Sequence, residues 1–242
     1  MRQESRERVL APVIRRRAPG AVDALPASLN PVLRRVYAAR GVSHPDELAL
    51  DLRHLLPVST LDGIGQATGL LADHLERGSR ILVVGDFDAD GATSTALVLR
   101  QLRRLGHDNV VFRVPDRMRH GYGLTPALVA DLAGEPADLL ITVDNGVSAL
   151  AGVESAKALG MQVLVTDHHL PGPNLPACAA MVNPNLAGAG FGSRALAGVG
   201  VAFYLMASLT RELESRRGCK LPAVADLLDL VALGTVADLV PL

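Results

Sequence analysis

Sulfur and bulky aromatics are scarce in this chain. Of 242 residues only Cys178 and Cys219 are cysteine, tryptophan is absent, and aromatics make up 3%. Two cysteines outside any CxxC pair cannot build a disulfide framework or a sulfur-ligated zinc site, so a reduced, cytoplasmic protein is expected. The low aromatic content argues against an extensive base-stacking platform. Lysine is nearly missing too: Lys157 and Lys220 are the two lysines, and the other 22 basic residues are arginine. No apolar run reaches the ~18 residues of a membrane span. The charged start "MRQESRERVLAPVIRRR" lacks the apolar stretch of a secretory signal. A net charge of −1 leaves no global basic field. The distribution is uneven, with ten Arg against six acids in residues 1–57 and 14 basic against 19 acidic residues in the remainder.

What the chain has in quantity is apolar surface. At 49% hydrophobic and 20% charged residues it can fill a sizeable core. Residues 1–60 read as a separate helical arm, with short amphipathic stretches over Pro31–Arg40 and Pro45–Leu56. From about residue 62 helices alternate with apolar strands: "ILVV", "VVFRVP", "DLLITVD", "MQVLVTD" and a short "AAMVNP". The helix in "ATSTALVLRQLRRLG" turns Ala96, Leu97, Leu99 and Leu102 inward and Arg100, Arg103 and Arg104 outward. Thr125 caps a helix that opens with Pro126. A long helix spans about Ala195 to Arg217, and a final helix runs into a loop around Asp238. Continuous apolar strands between helices predict an α/β fold with a parallel sheet covered on both faces, over residues 61–242. The chain stops two residues after "ADLV", which reads as a fragment of a longer protein.

In open parallel sheets functional groups gather beyond the carboxyl ends of the strands. The polar residues here follow that rule. Asp86, Asp88 and Asp90 come after the first strand, Asp144-Asn145-Gly146 after "LLITV", and Asp167-His168-His169 after "QVLVT"; Asp238 arrives from the last helix. Asp86, Asp88 and Asp90 with Gly91 mimic the start of a calcium loop, but its twelfth position is Leu97, not Glu. A dehalogenase-type phosphatase or a receiver domain needs a strand-end lysine, which neither Lys157 nor Lys220 supplies, and no GxxxxGK[ST] is present. Taken singly, "DNG" reads as a turn and one histidine as structural. Together, four or more carboxylates with imidazole would repel one another unless divalent cations sat among them. Oxygen ligands with one or two nitrogens favour Mn²⁺, with Mg²⁺ as the alternative, and two such ions suit phosphoester hydrolysis.

"VVGDFDADGATSTA", "TVDNG", "VTDHHLPG" with "NPN", and "LVALGTVADLVPL" resemble, in order, the four motifs of the DHH phosphoesterases. "LPASLNPVLRRVYAARGV", "HGYGLTP" and "LAGVGVAFYLM" are similar, more narrowly, to the RecJ-type single-strand-specific exonucleases within that family. The resemblance implies two Mn²⁺ or Mg²⁺ ions, with Asp88 and Asp90 binding one each, Asp144 bridging, His168 on the second ion and Asp238 completing a shell. It implies that His169 faces the scissile phosphate and that Asp86 and Asp167 orient ligands or water. Some members carry a ligand His where this chain has Val84, a place left to Asp86 or water. The implied activity is hydrolysis of single-stranded DNA from the 5′ end, releasing mononucleotides by a two-metal-activated water, in DNA repair and recombination. A second, basic domain that closes over the DNA is expected after Leu242. A monomer is expected, with repair or recombination proteins as further partners and no membrane. Within the family the alternatives are hydrolysis of short oligonucleotides, cyclic dinucleotides or pyrophosphate, or a non-catalytic scaffold.

Several other residues stay open on sequence alone. Arg117 and Arg119 suit phosphate oxygens or an ordinary surface loop, and Tyr122 suits a base or a turn between Gly121 and Gly123. His120 reads as structural. Asn183 and Asn185 read as braces for the DHH loop. The glycines before the long helix fit either phosphate approach to its N-terminus or close packing at Gly198 and Gly200.

Overall fold

The computed structural model describes residues 18, 20–49, 51–135 and 137–241. It divides into two units, Met1–Leu55 and Leu56–Leu242. In the first, Asn30 caps helix α1 (Pro31–Ala39), its side chain accepting from Val32 N, and Pro31 takes the first helical position. The second expected stretch, Pro45–Leu56, is not one helix. It forms two short 3₁₀ turns, Pro45–Leu48 and Leu52–His54. His44 and Glu47 close a capping box at the first, Ala49 is extended, and the Asp51 side chain accepts from Arg53 N to start the second, so local capping divides the stretch.

The second unit is the expected α/β layer structure. Helix α2 (Ile64–Glu76) leads into β1 (Ile81–Val84), then α3 (Ala89–Arg104), β2 (Val110–Arg113), α4 (Pro126–Asp131), β3 (Leu139–Val143), α5 (Leu150–Ala158), β4 (Gln162–Thr166), β5 (Ala180–Val182), α6 (Gly198–Arg217) and α7 (Leu228–Ala237). The sheet order is β2-β1-β3-β4-β5, with every pairing parallel. Alternation of side chains along each strand splits the core in two. Ile81, Val83, Leu139, Ile141 and Leu164 pack with α2, α3 and α6. Leu82, Val84, Leu140, Val163 and Val165 pack with α4 and α5. Because both faces are covered, β1 and β3 are buried along their whole length. Among the described residues no helix is long and apolar enough to cross a membrane.

The topology positions the site. From β1 the chain moves outward to β2, then returns to place β3 on β1's other side, so connections diverge between β1 and β3. Since β1, β3 and β4 are parallel neighbours, their carboxyl ends share one rim. Two helices begin elsewhere than the pattern predicts. Asp88 is the N-cap of α3, so the helix starts at Ala89 and Asp90 lies in its first turn. Helix α6 starts at Gly198, three residues after the expected Ala195.

Candidate metal centre

Four chain segments deliver ligand atoms to one point. Beyond β1, the Asp88 side chain caps α3 by accepting from Gly91 N at 2.9 Å. That turns Asp90 inward, where it is buried and its two oxygens accept from Gly198 N (2.7 Å) and Val199 N (2.8 Å). The α6 N-terminus therefore holds a carboxylate, which favours close packing over phosphate approach, the two readings open for its glycines. Beyond β3, Asp144 adopts φ +60°, a left-handed conformation that aspartate tolerates better than most side chains. Asn145, fully buried, donates to Val84 O (3.1 Å) and Val143 O (2.9 Å) and ties that turn to both central strands. Beyond β4, Asp167 accepts from four donors: Val147 N (2.8 Å) on Oδ2, and His168 N (2.7 Å), His169 N (3.1 Å) and His169 Nδ1 (2.7 Å) on Oδ1. Asn183 donates to His169 O at 2.9 Å and Asn185 donates to His168 O, so the two asparagines do brace the histidine loop. Asp238, the C-cap of α7, enters from a helix packed on α3 and α6.

His168 Nε2 lies 3.1 Å from Asp144 Oδ1, 3.7 Å from Asp238 Oδ2 and 3.9 Å from Asp90 Oδ2. The potential ligand atoms fall into three groups, each within 4.8 Å: Asp86, Asp88 and Asp144; Asp90, His168 and Asp238; Asp144, His168 and His169. Asp144 and His168 each belong to two groups, which is the shape of adjoining sites. Asp86, expected to act from outside, stands among the ligand-competent carboxylates. Asp86 Oδ1 is buried with no hydrogen-bond partner, and Asp144 Oδ1 and His168 Nε2 are buried with no partner but each other, 3.1 Å apart without an aligned hydrogen bond. Buried polar atoms without aligned partners are costly, and such atoms at the ends of three neighbouring strands fit divalent cations.

The electrostatics agree. Burial pushes the Asp144 carboxyl up to about 7; the neighbouring His168 opposes this and the charge on Asp90 adds to it. Burial likewise raises Asp90, against the two α6 amides, and Asp86, against Phe87 N. Asp167 goes the other way: burial would raise it, but the His169 ring and the Val147 amide hold it below its usual range. The hydrogen bond that its Nδ1 donates to Asp167 raises His169 to about 9, so this exposed imidazole is cationic at neutral pH. Tyr122 OH lies 3.3 Å from both Asp144 O and His169 Nε2, and burial with the surrounding carboxylates raises its pKa, keeping it a phenol. Arg117 stacks over the exposed Phe87 ring, 5.1 Å from its centroid. Arg119 is not brought to the centre: it pairs with Asp131 at 3.2 Å, as does His120 at 2.9 Å.

Of two glycines that set the spacing here, sequence reasoning named Gly198 as a close-packing position and missed Gly234. A Cβ on Gly198 would stand 2.5 Å from Asp144 Oδ1, and one on Gly234 would stand 2.8 Å from Asp90 Oδ1. Helices α6 and α7 approach the carboxylates this closely only because these positions lack side chains. "GVG" and "ALGT" are the local signals, legible only once the helices are known to face the acids.

A strand-end carboxylate and imidazole cluster on a parallel sheet is the class of site found, and residues 80–235 match the model of the DHH family, N-terminal domain. The chain belongs to that family. It is 54% identical over 232 residues to the single-stranded-DNA-specific exonuclease RecJ of Dickeya dadantii, covering 94% of this chain and 40% of that protein. It is 51% identical over 234 residues to RecJ of Escherichia coli, covering 95% of this chain and 41% of that protein. The crystal structure of RecJ in complex with Mn²⁺ from Thermus thermophilus superposes with a TM-score of 0.68 at 34% identity, over 87% of this chain and 28% of that one. The chain thus spans about two fifths of the length of these curated relatives.

Proposed function

We propose that this chain carries the catalytic centre of a metal-dependent exonuclease that hydrolyses single-stranded DNA from the 5′ end, releasing mononucleotides during repair and recombination. The observation that carries this reading is the pair of adjoining ligand groups, Asp86, Asp88 and Asp144 beside Asp90, His168 and Asp238, joined by the 3.1 Å approach of His168 Nε2 to Asp144 Oδ1. The donors are hard oxygens and one imidazole, which suits Mn²⁺ or Mg²⁺. Asp86, Asp88 and Asp144 would hold one ion and Asp90, His168 and Asp238 the other, with Asp144 beside both. Such a pair, when bound, supplies an activated water and offsets charge on the phosphoryl oxygens.

The chain's own groups do the rest. The α6 amides fix Asp90, and Asn145 fixes the Asp144 turn, so the acceptor set is preorganised. Asp167 holds His169 through Nδ1 and keeps it protonated, leaving Nε2 to donate toward charge on the departing oxygen. Asp167 acts only through that ring and the loop amides. Arg117, on Phe87, stands ready to receive a strand phosphate or base. The choice of single-stranded DNA and of a 5′ start rests on similarity to the RecJ proteins. Cys178 and Cys219 are both free, which supports a reducing, cytoplasmic setting; we take the protein as a monomer.

The test is release of labelled mononucleotide from 5′-labelled single strands in Mn²⁺, set against duplex DNA, dinucleotides and pyrophosphate, with Asp144→Asn as control. Single strands should be degraded by the wild type and left intact by the variant. Equal turnover of dinucleotides or pyrophosphate would move the activity elsewhere in the family. No difference between the proteins in Mn²⁺ binding would leave only a scaffold.

A further inference from the structure

A cavity of about 340 Å³ lies against the metal centre, between the first turns of α4 and α5. Its volume falls in the range of small-molecule sites. Leu124, Pro126, Val147 and Leu150 line it, and Tyr122 and His169 stand at its edge. No lysine or arginine contributes to this lining. Asp167 also contributes; three donors crowd its Oδ1, while Oδ2 accepts from Val147 N alone and keeps one free acceptor position. The cavity therefore has mainly apolar walls, two rings, and the hydrogen-bonded pair of Asp167 and His169 on one side. Those rings meet edge to face at 5.8 Å, and Tyr122 is 51% exposed. His169 also joins the cavity to the centre: its ring lies 4.5 Å from that of His168, and it groups with Asp144 and His168 among the ligand atoms.

These features discriminate between the parts of a nucleotide. No lysine or arginine waits inside the cavity for a phosphate, which is drawn instead to His169 and the metal centre at its edge. A nucleobase is flat, uncharged and weakly polar, gains from apolar burial, and stacks on an aromatic ring. We propose that this cavity seats the base adjoining the scissile phosphate, with Tyr122 as its stacking face and His169 as the hinge between base and phosphate. This deepens the nuclease reading and rests on it for the identity of the polymer. It also revises the expectation from composition: few aromatics exclude a long platform, but one base needs one ring.

Two measurements test the seat. In saturation-transfer NMR with Mg²⁺, thymidine 5′-monophosphate should show saturable transfer to its base protons, and 2-deoxyribose 5-phosphate at equal concentration should fail to displace it. Ala151→Phe and Ser148→Phe, both at exposed positions lining the cavity, should abolish that signal while keeping the wild-type circular dichroism. In Mn²⁺, one abasic residue beside the scissile phosphate should raise KM about tenfold for the wild type, the scale of one base stacked on an aromatic side chain, and should change nothing further in the filled variants. Displacement by the base-free sugar phosphate, or undiminished nucleotide binding by both folded variants, overturns the seat. Base binding without any DNA cleavage leaves the seat standing and overturns the nuclease reading instead.

Discussion

Asp144 combines a left-handed backbone, deep burial and a carboxyl pushed up to about 7. Asparagine has nearly the same shape and also tolerates positive φ, so Asp144→Asn separates charge from conformation. Without ions the variant should melt at or above the wild-type temperature, because a buried charge has gone. Its Mn²⁺ affinity should fall by more than about 100-fold, since even groups that only orient ligands are worth 10–100-fold. Calorimetric titration beside a thermal melt reads both, and retained affinity would remove Asp144 from the ligand set. Gly198→Ala approaches the same carboxylate from outside. Its Cβ would fall 2.5 Å from Asp144 Oδ1, so the acid or α6 must shift. Overpacking of this kind costs about 1–3 kcal/mol, and Mn²⁺ affinity should drop with the melting temperature. A variant that melts and titrates like the wild type would show that Gly198 sets no spacing there.

At the scale of elements, the loop after β4 owes its shape to partners distant in sequence. Asn183 and Asn185 hold the carbonyls of His169 and His168. Asn183→Ala and Asn185→Ala should each lower turnover about 10–100-fold, the usual effect of losing an orienting partner, with the sheet intact by circular dichroism. Full turnover in either would make that asparagine a bystander. The same distinction explains what the sequence could reveal. β1, β3 and β4 were legible because a strand buried on both faces must be an apolar run, and their acids because a parallel sheet gathers its carboxyl ends. The brace role of "NPN" was legible from its place after the last strand. The capping of α6 by Asp90 was not, since it joins residues 108 and 109 positions apart and leaves no local periodicity. The start of α3 was missed because Asp88 reads as a ligand while also serving as a cap. Pro45–Leu56 was overextended because side-chain caps, invisible to amphipathic spacing, restart the chain at Asp51. Arg119 stayed open between phosphate contact and a surface loop because its partner Asp131, on the following helix, is not marked by any local pattern.

Across the whole molecule the acid cluster couples ion binding to folding and to pH. Asp86, Asp90 and Asp144 all have raised pKa values, burial being the largest cause. For His168 burial opposes the shift, but Asp144 outweighs it and the pKa is raised. A carboxyl with a raised folded-state pKa binds more protons folded than unfolded, so stability falls as pH climbs from the ordinary carboxylate range through the folded pKa. His168 and His169 add to that trend, since a raised imidazole pKa stabilises below its ordinary value and loses that contribution as pH rises through the folded one, about 9 for His169. Asp167 is the exception: its lowered pKa stabilises at neutral pH and is lost only in acid. The ion-free protein should therefore melt lower at about pH 8 than at about pH 5.5. Mn²⁺ should reverse the order, because divalent charge offsets the carboxylate repulsion and protons compete for the same oxygens in acid. The gain in melting temperature on adding Mn²⁺ should accordingly be larger at the higher pH, and Asp144→Asn should flatten the difference. A gain that is equal at both values, or larger in acid, would mean that the ions bind away from these carboxylates.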